Sequence, residues 1–356
     1  MGLTLGARLR ELPGPIMVTG HTGFKGTWLT LLLERLGVSV VGFSLPPEKN
    51  SLFDRAKRAG AIPEVFQDIR NIDAVSNFMK KHEPSAVIHM AAQPIVLKSY
   101  ETPLETFETN VMGTVNILEV AFKINSVQAI VVTTTDKVYR NDNSDRAFVE
   151  TDPIAGKDPY SASKVGTEAA VAAWQQIAKI AGGPKVFSVR AGNVIGGGDW
   201  GKDRLLPDLI RGLITREPIH IRNPESTRPW QHVLDPLHGY IMALESILES
   251  ADFCSMNFGP LGQSLSVKEV IEIGAALWPN SSIVEFATDP RRNMVEAHNL
   301  QLDSRQAHEI LNWKPFWSQR EAVVASVEWW NSVLNQSFAP ADACHSDIEL
   351  ILKRSF

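Results

Sequence analysis

Cysteine is scarce in this 356-residue chain: Cys254 and Cys344 are the only two. They have no metal-ligand spacing and offer no disulfide framework, so they point to a reducing cytoplasm and give no reason to expect a metal. An excess of charge is also missing. A net charge of -5 and a pI near 6.0 remove the electrostatic case for nucleic acid or an anionic membrane as partner. No apolar run reaches the length of a membrane span, and residues 1–13 lack the apolar segment of a signal peptide. The sequence also has no internal repeat and no low-complexity tract. With 44% hydrophobic and 21% charged residues, the chain can bury a large core as one elaborated domain or two coupled lobes. The expectation is a soluble, cytoplasmic protein.

Short apolar runs alternate with helical patterns through the first half. Strands are expected at 15–19, 38–43, 64–67 (weak), 86–90, 127–134 and 186–190. Helices are expected at 26–36, 52–60, 72–81, 103–125 and 158–181. Such βαβ alternation predicts an α/β fold, a doubly wound parallel Rossmann-type sheet with helices on both faces. Beyond residue 190 the sequence turns to segments rich in Gly, Pro, Trp and Arg, read as loops that make binding surface rather than regular structure.

Two clusters carry chemistry. Gly20-His-Thr-Gly23-Phe-Lys-Gly26 follows the first strand and opens the first helix. Gly20 permits the turn, Gly23 lets backbone approach a pyrophosphate, and Gly26 allows close helix packing, with the helix N-terminus facing the anion. A structural turn would use the same glycines. Asp68-Ile69 after the third strand is placed to meet an adenine ring, and Ala91-Ala92-Gln93 after the fourth brings small residues against a cofactor. The second cluster runs from Thr135-Asp136-Lys137 to Tyr160-Ser-Ala-Ser-Lys164. Residues four apart share a helix face, so Lys164 stands beside the Tyr160 ring and favours its phenolate, the form that accepts a proton from an alcohol. An amphipathic helix with a surface Tyr and Lys has this spacing too, and Asp136-Lys137 also fits an ordinary solvated ion pair.

The runs T-G-H-T-G-F-K-G (19–26), H-M-A-A-Q-P (89–94), E-T-N-V-M-G-T (108–114), T-D-K-V-Y (135–139), D-P-Y-S-A-S-K (158–164), R-A-G-N-V-I-G-G-G-D-W (190–200) and R-P-W-Q-H-V-L (228–234) resemble the extended short-chain dehydrogenase/reductases. Within that family they resemble the CDP-glucose 4,6-dehydratases. The resemblance spans about 15–320. It implies a lyase of deoxysugar biosynthesis that uses NAD and handles a nucleotide sugar, CDP-glucose. In the mechanism it implies, Tyr160, helped by Lys164 and bonded to Thr135, takes the C4 hydroxyl proton as hydride leaves C4. Lys137 is then the candidate base at C5, and Asp136, protonated, the candidate acid for the departing C6 hydroxyl. Thr22, Phe24 and Lys25 in the glycine loop, with Thr133 at the end of the fifth strand, join the cofactor-binding set.

The same resemblance implies a Rossmann domain of 1–193 plus about 231–257. A smaller C-terminal substrate lobe of 194–230 plus about 258–335 and a tail of 336–356 complete the chain. Gln93, Asn193, Arg204, Arg222, Arg228, Gln231 and His298 are the expected substrate ligands, the arginines because their forks suit phosphate. His232 fits a packed histidine as well as a ligand, and Trp313 and Trp317 fit the core. Three departures stand out: Gly42-Phe43-Ser44-Leu45-Pro46 has no acid to bind the adenosine ribose, Val138-Tyr139-Arg140 replaces a more usual Cys-Tyr-Glu, and Asn293-Met294-Val295-Glu296 is less acidic than usual. The first, with Lys49 and Arg55 downstream, leaves NADP open beside NAD. A nucleotide-sugar epimerase or 4-reductase would need Tyr160 and Lys164 but neither Asp136 nor Lys137, and a silent dinucleotide sensor would need no tyrosine. The helix at 103–125 has apolar residues on more than one face, which predicts a homodimer or dimer of dimers.

Overall fold

The computed structural model describes residues 4–141, 146–201, 204–217, 219–221, 224–279, 286–288 and 300–354. Seven parallel strands form its central sheet. In chain order they are β1 (Ile16–Thr19), β2 (Val40–Ser44), β3 (Glu64–Phe66), β4 (Ala86–His89), β5 (Ala129–Thr133), β6 (Lys185–Ala191) and β7 (Ser255–Phe258). They lie side by side in the order β7-β6-β5-β4-β1-β2-β3. β1, β2, β4 and β7 are buried along their whole length, as a parallel sheet covered on both faces requires. Alternate residues face opposite ways. Ile16, Val18, Ile88 and Val131 join one core with Trp28, and Met17, Val87, Ile130 and Val132 join the other with Ile117 and Leu118. β3 closes an edge and is only partly buried, which explains its faint apolar signal.

The chain order reverses between β1 and β4, whose Thr19 and His89 pair, and in such sheets ligands bind at that crevice. Helix α1 (Phe24–Arg35) leaves β1 there, with Gly23 as its N-cap. Helix α2 (Pro159–Ala181) starts under a capping box of Asp158 and Ser161 with Pro159 at its first position. That start is strongly determined, and it puts Tyr160 in the first turn.

Two expectations change. The helix read as continuous over 103–125 is three pieces: Pro103–Phe107, a π-helical turn at Glu108–Met112, and Gly113–Ala121. The π turn lets the Asn110 amide donate to the Gln93 carbonyl (3.1 Å) and Ser163 Oγ (2.9 Å), which apolar periodicity does not register. The segment after 190, read as loops, contains helices α3 (Leu205–Thr215), α4 (Leu234–Glu249), α5 (Val267–Leu277) and α6 (Gln319–Asn335). Their Gly, Pro and Trp residues sit at helix ends and in packed positions such as Trp329 and Trp330. The tail forms helix α7 (Pro340–Arg354), which docks on α1 and α6 and buries Cys344, Ile348 and Ile351.

Candidate active site

The C-terminal ends of β1, β4 and β5 open onto a cavity of about 1850 Å³, larger than the roughly 300–1,000 Å³ of a single small-ligand pocket. One side is the glycine loop. Gly20 has φ 73°, and a Cβ there would stand 2.8 Å from the Ala91 nitrogen; a Cβ on Gly26 would stand 2.1 Å from the Gly20 carbonyl oxygen. Neither position accepts a side chain. Gly23, Phe24 and Lys25 line the cavity. Thr22 instead faces away, with its hydroxyl 2.7 Å from Ser44 Oγ and donating to the Leu45 carbonyl at 3.0 Å. It braces the loop against the turn after β2.

Lys25 reaches Tyr240 Oη with its ammonium at 2.9 Å. Enclosure, together with the Lys164 and Arg204 cations, pulls its pKa down to about 7 against the opposing pull of Asp136. Asp68 and Ile69 line the cavity, but the Asp68 carboxylate is held by Arg70 (Nη2 at 2.6 Å, Nε at 3.0 Å), whose hydrogen bonds keep it below the usual carboxylate range. Ala91, Ala92 and Gln93 also line it. The Gln93 side chain is committed to the Ile95 backbone and Thr106 Oγ1, at 2.6 to 3.1 Å.

The candidate reacting groups meet at the end of β5. Tyr160 is 8% exposed. Burial drives its phenol well above the ordinary tyrosine range, while the Thr135 hydroxyl bonded to it and the Arg204 cation draw it back. Thr135 Oγ1 in turn donates to Asp136 Oδ1 at 2.9 Å, and the Lys137 ammonium stands 3.6 Å from the same oxygen. Tyr160, Thr135, Asp136 and Lys137 therefore form one polar chain. The carboxylate of Asp136 has room because residue 192 is glycine: a Cβ there would come within 3.0 Å of Oδ2. Lys164 donates to the Thr133 carbonyl at 3.1 Å, and burial lowers its pKa to about 8 against the opposing Glu168 charge. Thr133 Oγ1 is buried beside this bond with no partner.

Of the expected substrate ligands, Gln93, Asn193, Arg204 and Arg228 line the cavity. Arg204 projects from the start of α3 and is paired with Asp199 at 3.0 Å. Gln231 does not reach the cavity. It is fully buried, as are its neighbours Trp230 and His232, and its amide donates to the Phe258 carbonyl at 3.1 Å, which ties it into the core. Arg222 and His298, and the departure at 293–296, lie outside the described residues. His232 is packed, its ring 4.1 Å from that of Trp317, and Trp313 is core. Arg55 lies over the rings of Trp200 and Trp330, at 4.9 and 5.5 Å.

Sequence reading missed Glu168 and Arg190. Their carboxylate and guanidinium pair beneath the site at 2.8 and 2.9 Å. The signal available was the spacing Tyr160, Lys164, Glu168, one more turn along the same helix face.

Comparison with known proteins places this geometry. The model of the NAD dependent epimerase/dehydratase family matches residues 16–259. The CDP-glucose 4,6-dehydratase of Salmonella typhimurium is 40% identical over 323 residues, 88% of this chain and 89% of its own. The chain belongs to the NAD dependent epimerase/dehydratase family. A UDP-glucose 4-epimerase of Halalkalibacterium halodurans is 28% identical over 89% of this chain and 95% of its own. Among solved structures, the dTDP-glucose 4,6-dehydratase DesIV of Streptomyces venezuelae, with NAD and TYD bound, superposes with a TM-score of 0.76 at 21% identity. It covers 92% of this chain and 99% of that one, which bears on the fold alone. NAD is the family's cofactor, and these residues fit it. Gly20 and Gly26 shape a cradle that side chains would fill, and Thr133 Oγ1 offers an unused buried hydroxyl at the cavity wall.

Proposed function

We propose that the chain converts CDP-glucose to CDP-4-keto-6-deoxyglucose. The observation that carries this reading is the single polar chain from Tyr160 through Thr135 and Asp136 to Lys137. It sets an acid and an amine beside the tyrosine that handles the C4 alcohol, which elimination across C5 and C6 requires and epimerisation at C4 does not. The 40% identical CDP-glucose 4,6-dehydratase supports the choice of nucleotide sugar.

Bound NAD supplies a hydride acceptor for C4 that can return the hydride at C6, so the cycle is redox-neutral. Tyr160 accepts the C4 hydroxyl proton as the Arg204 cation favours its phenolate, and Thr135 can support that charge once its hydroxyl turns from Asp136 to Tyr160. The C4 ketone acidifies the C5 proton, which Lys137 removes. Asp136 gives a proton to the departing C6 hydroxyl and water leaves, after which Lys137 returns a proton to C5 as C6 takes up the hydride. Lys164 is fixed on the Thr133 carbonyl, one helical turn from Tyr160. Asn193, Arg204 and Arg228 line the part of the cavity suited to a nucleotide diphosphate. Ser44 stands where an acid would exclude a 2′-phosphate, but Arg55 is engaged with Trp200 and Trp330, which supports NAD over NADP.

The working division is a cofactor domain of 1–193 plus about 231–257, a substrate lobe of 194–230 plus about 258–335, and the tail, in a cytoplasmic enzyme. Leu104, Phe107 and Met112 are 72%, 41% and 52% exposed, and Ile180 on α2 is 85% exposed. Such faces support a homodimer, which light scattering at micromolar concentration tests, a monomer overturning it. Incubating the protein with CDP-glucose tests the activity itself. Product lighter by one water without net NADH is expected; an isomer of unchanged mass would select the epimerase reading.

A further inference from the structure

One carboxylate gathers four donors beneath the active site. Glu168 Oε1 accepts from Thr134 Oγ1 at 2.5 Å and Arg190 Nε at 2.8 Å; Oε2 accepts from Ser188 Oγ at 2.8 Å and Arg190 Nη2 at 2.9 Å. The other side of the Arg190 guanidinium donates from Nη1 to Tyr139 Oη at 2.9 Å and to the Glu150 carbonyl at 3.0 Å. Tyr139 Oη passes a hydrogen bond to Asn257 Oδ1 on β7 at 2.7 Å, and the guanidinium lies over the Tyr139 ring at 5.1 Å. Thr134 and Tyr139 are the residues that bracket Thr135-Asp136-Lys137-Val138.

We propose that the Glu168–Arg190 pair positions the reaction's proton-transfer groups: it ties both ends of the 134–139 segment to α2 and β6, and so sets Asp136 and Lys137 against Tyr160. This rests on the dehydratase reading. Neither residue lines the cavity, so both act through others and are positioning residues. Side chains of both are about 5% exposed, and a buried pair needs every lone pair and proton satisfied to repay its desolvation. Here each carboxylate oxygen has two donors. Burial raises the Glu168 carboxyl, but the Arg190 guanidinium and the Thr134 and Ser188 hydroxyls outweigh it and hold it ionised. That charge has a second effect, because Lys164 lies one turn away and Glu168 opposes the loss of its proton. The charged or titratable groups facing the pair are Lys164, Tyr139 and Glu150.

The test compares the parent with Glu168→Gln, Glu168→Asp and Tyr139→Phe. For Glu168→Gln, kcat should fall about tenfold to a hundredfold, the range expected of a small displacement of catalytic groups, with KM for CDP-glucose unchanged. Its alkaline limb in kcat against pH should move to lower pH, because Lys164 has lost the charge that helps it keep its proton. Glu168→Asp keeps the charge, so the limb stays in place and part of kcat returns. Hydrogen exchange reads the anchoring without substrate: peptides covering 134–139 should exchange faster in Glu168→Gln and in Tyr139→Phe, with β4 unchanged. If Glu168→Gln does not fold, Tyr139→Phe, which keeps the ring and removes one link, still tests the anchoring: a several-fold loss of kcat and the same faster exchange are expected. Parental kcat, alkaline limb and exchange in a folded variant would overturn the proposal. A parent inactive on CDP-glucose would count against the dehydratase reading instead, and the exchange result would still decide the anchoring.

Discussion

Asp136 and Lys137 are neighbours in sequence and partners in space, with the Lys137 ammonium 3.6 Å from Asp136 Oδ1, yet the Asp136 side chain is 1% exposed and that of Lys137 33%. The acid is fixed in the wall and the amine faces the cavity. The proposed mechanism makes Lys137 the base at C5. Lys137→Met should therefore still form enzyme-bound NADH and a 4-keto sugar while losing C5 proton exchange and water release. Single-turnover absorbance with deuterium incorporation checks this, and exchange at the parental rate would assign the C5 base elsewhere.

Tyr160→Phe keeps a buried ring and removes the phenolic oxygen that the proposed mechanism makes the acceptor of the C4 proton. Turnover should drop about a hundredfold to ten-thousandfold, with melting temperature and NAD titration near those of the parent. Activity within a few-fold of the parent would remove Tyr160 from the mechanism.

Gly192→Ala probes how tightly Asp136 is placed. The added Cβ would stand 3.0 Å from Oδ2, so the carboxylate must shift by a fraction of an ångström. A loss of about tenfold in kcat with unchanged NAD binding is the expected outcome. Parental kcat would mean that the position of the acid is not critical.

Much of this arrangement is legible in the sequence, and the exceptions have physical causes. Apolar runs such as Ala86–His89 announce buried parallel strands, and the glycine triplet and Tyr160/Lys164 spacing announce local geometry that needs little tertiary information. Strand order does not show in local pattern. Nor does the π turn at Glu108–Met112, since one extra residue barely disturbs a helical stripe. Gln231 sits inside a matched run, but its amide is tied to the Phe258 carbonyl in the core, a tertiary contact that the run does not display. Glu168 and Arg190 are ordinary charged residues in the sequence; their burial as a pair comes from packing α2 on β6.

Asp235, at the start of α4, gives a stability prediction. Burial raises its carboxyl to about 8, partly offset by backbone donors including Phe316 N–H at 2.6 Å, and Oδ2 has no partner. Its folded pKa lies above the unfolded value near 3.9, so the folded state holds the extra proton between about pH 4 and 8. The stabilisation it confers is full below that window and is lost as pH rises through it, by up to about 1.4 kcal/mol per pH unit. Asp235→Asn keeps an acceptor for Phe316 and removes the titration. Urea melts at several pH values should show a flatter profile for the variant and a relative gain at pH 8. Parallel profiles would contradict the assignment.

In the proposed reaction hydride leaves C4 and returns to C6 of the same sugar while C5 exchanges with solvent. CDP-glucose carrying deuterium at C4 tests it in one reaction. The expected product is lighter by water, with that deuterium at C6 and a solvent proton at C5. Recovery of the deuterium at C4 in a sugar of unchanged composition, or its release as free NADH, would contradict it.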